Sequence, residues 1–71
     1  MKIGSYYSTT DSSTIEDYGY IPSYVVQLEA FVDEINGIKR ILIYPMSKDG
    51  DELDMVEYET NELCGNWYID N

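Results

Sequence analysis

Asn36-Gly37 stands between two apolar-rich stretches, "QLEAFVDEI" and "IKRILIYP". A type I′ turn needs positive φ at both central residues, which makes Asn-Gly the strongest short-range hairpin signal. A two-residue turn there fixes the register of everything beside it. Glu34 faces Lys39, Asp33 faces Arg40, Val32 faces Ile41 and Ala30 faces Ile43. Opposite charges meet and apolar side chains meet, as cross-strand pairing favours. Val25, Leu28, Val32 and Ile35 also have helical spacing, and Pro22-Ser23 suits a helix start. The alternation is the better fit: Tyr24, Val26, Leu28, Ala30 and Val32 are apolar, with Gln27, Glu29 and Asp33 between them.

Asp49-Gly50 invites a second two-residue turn, but backbone parity opposes it. In the first hairpin the even residues of 38–44 direct their N–H and C=O groups at the preceding strand, so the odd ones serve the next. A longer loop, Lys48–Asp51, restores the alternation and pairs Ile43 with Val56, Ile41 with Tyr58 and Arg40 with Glu59. Pro45 has no N–H to give a ladder, so regular pairing is expected to stop near Tyr44. The predicted fold is therefore all-β, or a β-rich α+β variant. Its centre is an antiparallel meander over about 23–35, 38–45 and 53–60.

The flanks are less patterned. Lys2–Tyr7 reads as a short strand, and the Ser- and Thr-rich residues 8–19 read as a loop or arm. Thr60-Asn61-Glu62 suits the start of one short helical turn closed by Gly65. "NWYID" follows as a short strand or docking segment, giving three to four strands in all. Trp67 is expected in the core. Cys64 is the single cysteine, so no intrachain disulfide forms, and with no His to activate it a buried, inert thiol is expected.

At 71 residues the chain is one domain, near the lower size limit for folding without staples. Its 44% apolar content is too high for a disordered acidic tail. The N-terminus lacks the apolar core of a signal peptide and no segment approaches membrane-spanning length, so the cytoplasm is the expected compartment. For a phage gene that is the host cytoplasm.

Charge is the main functional signal. Fourteen Asp and Glu against four Lys and Arg give a formal charge of −10, beyond the ~2–8 that solubility asks of a small domain. Half of the carboxylates lie in "KDGDELDMVEYETNE", residues 48–62. "DGDELD" is not an EF-hand, because Gly50 comes too early for the loop's sharp turn. The lack of His and the lone Cys disfavour transition metals. Glycosidase chemistry needs a cleft that desolvates one carboxyl, which a sheet this small does not offer. Tyrosine stacking on single strands needs an electropositive groove. Neither an enzyme, a cofactor, a metal nor direct nucleic-acid or membrane binding is expected.

Protein recognition fits better. Alternate strand residues share a face about 6–7 Å apart, so Glu57 and Glu59 form a spaced row comparable to successive phosphates. Asp49, Asp51, Glu52 and Asp54 extend it. Tyr44 and Met55, with Met46 and Leu53 nearby, are read as apolar anchors on one face. Acid steers the encounter and aromatics prolong it. The expected partner is a basic protein surface, such as that of a nucleic-acid-binding protein or nuclease. In size and composition, without a shared motif, the chain resembles small acidic phage inhibitors of host nucleases and CRISPR effectors. It equally resembles immunity proteins that neutralise nuclease toxins. The leading expectation is an anti-CRISPR or anti-restriction type of inhibitor acting as a DNA mimic. The alternatives are an immunity or antitoxin protein and a homo-oligomeric accessory protein. An open sheet edge and a thinly covered face also lead us to expect a homodimer.

Overall fold

A computed structural model describes residues 2–60 and 62–70. The chain forms β1 (Tyr6–Thr9), α1 (Ser12–Asp17), β2 (Val25–Ile35), β3 (Ile38–Ser47), β4 (Val56–Tyr58) and β5 (Tyr68–Ile69). The five strands make one sheet in the order β4-β3-β2-β1-β5, antiparallel throughout. Asn36 and Gly37 turn at φ 54° and 79°. The register beside them is the one the turn dictates, from Ile35 opposite Ile38 through Asp33–Arg40 to Ala30–Ile43. The long loop also sets β4 as expected, with Ile41 opposite Tyr58 and Ile43 opposite Val56. Residues 25–35 are strand, not helix.

Several expectations are corrected. A bulge lies between Val25 and Gln27, so two residues of β2 share one position on β3. The bulge turns Val25 inward (2% exposed) and leaves Val26 (42%) and Tyr24 (49%) outward, against the simple alternation. Pairing does not stop near Tyr44: Pro45 lies opposite Leu28 and β3 runs on to Ser47. The missing N–H falls on the β4 side, where the Pro45 carbonyl still accepts from the Leu53 amide (2.9 Å). The third strand is shorter than 53–60, only Val56–Tyr58.

The stretch 8–19 is not a loop. Ser8 and Thr9 belong to β1, which is displaced from the expected Lys2–Tyr7, and 12–17 is the molecule's short helix. Asp11 caps it, accepting from the Thr14 amide (3.0 Å) and hydroxyl (2.8 Å). Its C-terminus closes in a Schellman arrangement, with Gly19 N–H donating to Glu16 O (2.9 Å) and Tyr20 N–H to Ile15 O (3.2 Å). The helical turn expected at 60–65 does not form at residue 60 or 62–65. Thr60 Oγ1 instead accepts from the Glu62 amide, and Asn61 lies outside the described residues.

β4 and β5 are the sheet's opposite edges, roughly 19 Å apart at ordinary strand spacing. The chain must therefore cross one face between them, and residues 62–67 do so beside α1. Leu63 and Trp67 from this crossing, Ile15 from α1, and Tyr18 and Tyr20 close over Val25, Leu28, Ala30, Val32, Ile41 and Ile43. Each fully buried aliphatic side chain here stabilises by about 1.5–3 kcal/mol. The crossing is tied down by Asn66, whose amide donates to Thr14 Oγ1 (2.9 Å) and whose carbonyl accepts from Thr9 Oγ1 (2.6 Å). Trp67 is half-buried at the core margin, its Nε1 donating to the Cys64 carbonyl (2.8 Å). Cys64 itself is exposed, not buried.

Hydrogen bonds from the Thr14 side chain and then its amide, outweighing burial, hold the Asp11 carboxyl below the usual carboxylate range. A folded-state pKa below the unfolded one gives stability that is present above the unfolded value and lost as pH falls through the folded one. The window therefore opens near pH 4 and runs downward. Asp11→Ala should separate from the parent in melting temperature at about pH 6 and converge with it by about pH 2. An undiminished gap in acid would contradict this.

Candidate protein-binding surface

The acidic loop owes its shape to its backbone. Ser47, 2% exposed, accepts at Oγ from the amides of Asp49 (3.3 Å) and Asp51 (3.2 Å). Its own amide donates to Asp51 O (2.8 Å), and its carbonyl accepts from Gly50 N–H (3.0 Å). Lys48 N–H donates to Tyr24 O (2.8 Å), tying the loop to the start of β2. A bridge between Met46 and Glu52 continues the sheet into it. The side chains of Asp49, Asp51, Glu52 and Asp54 take no part and are exposed, as are Glu59 and Met55. Among the described residues, ion pairs form only at Arg40; even Glu34, opposite Lys39, forms none.

Arg40 corrects the expected pairing. The β3–β4 ladder ends at Tyr58, where the Thr60 amide folds back on the Tyr58 carbonyl (3.0 Å). Glu59 is therefore not its ion-pair partner. The guanidinium grips Asp33 with two bonds, Nε–Oδ1 at 2.6 Å and Nη2–Oδ2 at 3.0 Å, and reaches diagonally to Glu57 Oε1 at 2.7 Å. The Arg40 hydrogen bonds, outweighing burial, hold the Asp33 carboxyl below its usual range. Glu57, read from the sequence as part of a partner-facing row with Glu59, thus also has an ion-pair partner within the fold.

Tyr44 and Met46 lie on the sheet face opposite the core, but Leu53 turns to the core, so these anchors do not share one face. The register builds the outer face in rows. Ile35 and Ile38 make the first, and Asp33 and Arg40 the second. The third is Tyr6–Phe31–Leu42–Glu57. The fourth is Tyr68–Ser8–Glu29–Tyr44, and the last joins Gln27 and Met46 to Glu52. The Tyr6 and Phe31 rings are 4.6 Å apart between centroids. Phe31, Ile35, Ile38 and Tyr6 were missed as surface residues. The available signal was that Phe31 and Ile35 interrupt the polar positions of β2, which makes that strand apolar on both sides.

Two open depressions flank these features. One, about 560 Å³, is lined by Thr10, Asp11, Gly65, Asn66, Trp67 and Tyr68, where Asp11 is already the helix cap. The other, about 140 Å³, lies between the hairpin end and β4, with Arg40, Glu57 and Glu59 in its wall. Among the described residues no three His, Cys, Asp or Glu converge as metal ligands, and no helix is long and apolar enough to cross a membrane. No family model, curated protein or solved structure matches the chain.

Proposed function

We propose that the protein is a non-enzymatic inhibitor that occupies a basic, nucleic-acid-binding protein surface, in the manner of a DNA mimic. The target class is a defence nuclease or CRISPR effector. The observation carrying this reading is the loop of Asp49, Asp51, Glu52 and Asp54, fixed by its backbone while its carboxylates form no ion pair among the described residues. A backbone-fixed array of negative charge steers basic surfaces toward it. Met55 follows it in the chain, whereas Glu59 lies at the hairpin end of the sheet, beside Ile35 and Ile38. A chain of −10 repels nucleic acid and favours this kind of partner. An immunity protein for a nuclease toxin would use the same chemistry, and the identity of the captured protein separates the two.

The test is capture from host lysate at about 0.1 M and about 1 M salt, across which the Debye length falls from ~10 to ~3 Å. The expected result is retention of a basic nucleic-acid-binding protein that is released by high salt and displaced by a DNA oligonucleotide. Retention indifferent to both salt and DNA would overturn the reading.

A further inference from the structure

We propose that the outer face of the sheet is the surface on which the partner comes to rest, and that it receives arginine side chains. The inference rests on the basic-partner reading above and adds a location and a side-chain chemistry to it.

The main core cluster lies on one side of the sheet, together with α1 and the chain running from β4 to β5. The other side presents Tyr6, Phe31 and Tyr44 in adjacent rows around Leu42, which is itself only 8% exposed. Glu29 stands among them, opposite both Ser8 and Tyr44. Ser8 stands directly across from it, yet the Ser8 hydroxyl donates to Asp70 Oδ1 (2.9 Å). Asp70 is held there by its amide, which donates to Tyr6 O (2.8 Å). Among the described residues the Glu29 carboxylate has neither an ion pair nor a hydrogen-bond donor. The Glu29 and Asp70 carboxylates thus lie beside an aromatic patch without an ion pair among the described residues.

A guanidinium satisfies that combination. It is planar, stacks on aromatic faces and offers a fork of N–H donors to carboxylates. An ammonium provides charge without the plane or the fork. The same face already holds one guanidinium through carboxylates: Arg40, between Asp33 and Glu57. Phe31 separates Asp33 from Glu29 along β2, so an incoming arginine would occupy the row beyond that ring.

Charge decides the occupant. A second copy would set another chain of −10 against this face, whereas a basic protein neutralises it. Area agrees with a heterologous partner that also touches the loop. Five strands and five rows span roughly 19 by 27 Å, about 500 Å², short of the ~800 Å² per side of a standard interface. The row Gln27–Met46–Glu52 runs directly into the acidic loop, which supplies the remainder.

The experiment titrates the protein at low salt with a glycine-spaced arginine peptide and with its lysine counterpart of equal length and charge. Affinity is read by calorimetry and location by amide chemical shifts. The arginine peptide should bind about fivefold tighter or better, with shifts at 6–8, 29–31 and 42–46. Glu29→Gln, an isosteric change at a half-buried site, should remove most of that preference and leave lysine binding nearly unchanged. Equal affinities with shifts confined to 48–54 would overturn the face while leaving the basic-partner reading standing. Binding of neither peptide would count against both. Self-association of the protein alone through these same amides would show that a second copy occupies the face, and would also overturn the proposal.

Discussion

Gly65→Ala is expected to lower the melting temperature by about 10–20 °C, a large effect for one methyl group at an exposed position. Gly65 sits at φ +97°, in the region where an L side chain costs about 1–2 kcal/mol. A Cβ there would also run into Thr14, coming within 2.6 Å of Cγ2 and 2.9 Å of Cβ, with Oγ1 in its path as well. Thr14 has nowhere to go. It is 1% exposed, and its hydroxyl donates to Asp11 and accepts from the Asn66 amide. Overpacking of this kind typically adds about 1–3 kcal/mol, so the total is a large share of the ~4–10 kcal/mol available to a domain this size. The change should lift the 62–67 crossing off α1 and uncover the core beneath it. A thermal melt measures the loss, and a double-mutant cycle with Thr14→Ala assigns it. If the clash is the cause, the double variant loses less than the sum of the two singles. A Gly65→Ala melt within about 2 °C of the parent would refute the argument.

The same junction shows why the sequence was legible in the middle and opaque at the ends. The β2–β3–β4 meander follows from local chemistry: a turn with one favoured geometry, and an alternation that can pair in one register. The crossing does not. Nothing in "TNELCGNWYID" specifies that it must span the sheet and pair Tyr68 and Ile69 with β1, because that depends on contacts with Thr9, Thr14 and Tyr18, some fifty residues away. α1 was hidden for another reason. With Ile15 as its one core residue it has no apolar period to detect, and Asp11 and Gly19 as its caps were the only signals. The candidate surface divides likewise. The exposed loop carboxylates were plain from composition, but the Arg40–Glu57 pair was not, because a long arginine reaches diagonally past its direct neighbour. The aromatic outer face was obscured by reading β2 as apolar on one side only.

Those distinctions sharpen the second large prediction, in which the loop acid acts on a partner and contributes little to the fold. The variant Asp51→Asn, Glu52→Gln, Asp54→Asn leaves Arg40 and its partners untouched. These three side chains form no ion pair or hydrogen bond among the described residues, and, Lys48 apart, the charged residues of the loop are acidic. Their removal should leave the melting temperature unchanged or raise it slightly, by relieving self-repulsion. Association with an identified basic partner should slow by about tenfold or more at low salt, because exposed charges act mainly on the rate of encounter. Dissociation should change much less, since the apolar rows of the outer face are intact. The difference between variant and parent should shrink as salt approaches about 1 M, where screening already removes steering. Glu57→Gln is the internal contrast: it removes the charge that Arg40 Nη1 pairs with while leaving an acceptor oxygen, and should lower stability slightly while slowing association less. Stopped-flow association rates across a salt series, set beside thermal melts, separate these outcomes. A triple variant that melts far below the parent would show that the loop carboxylates serve the fold. One that keeps the parent's association rate at every salt concentration would show that they do not steer a partner.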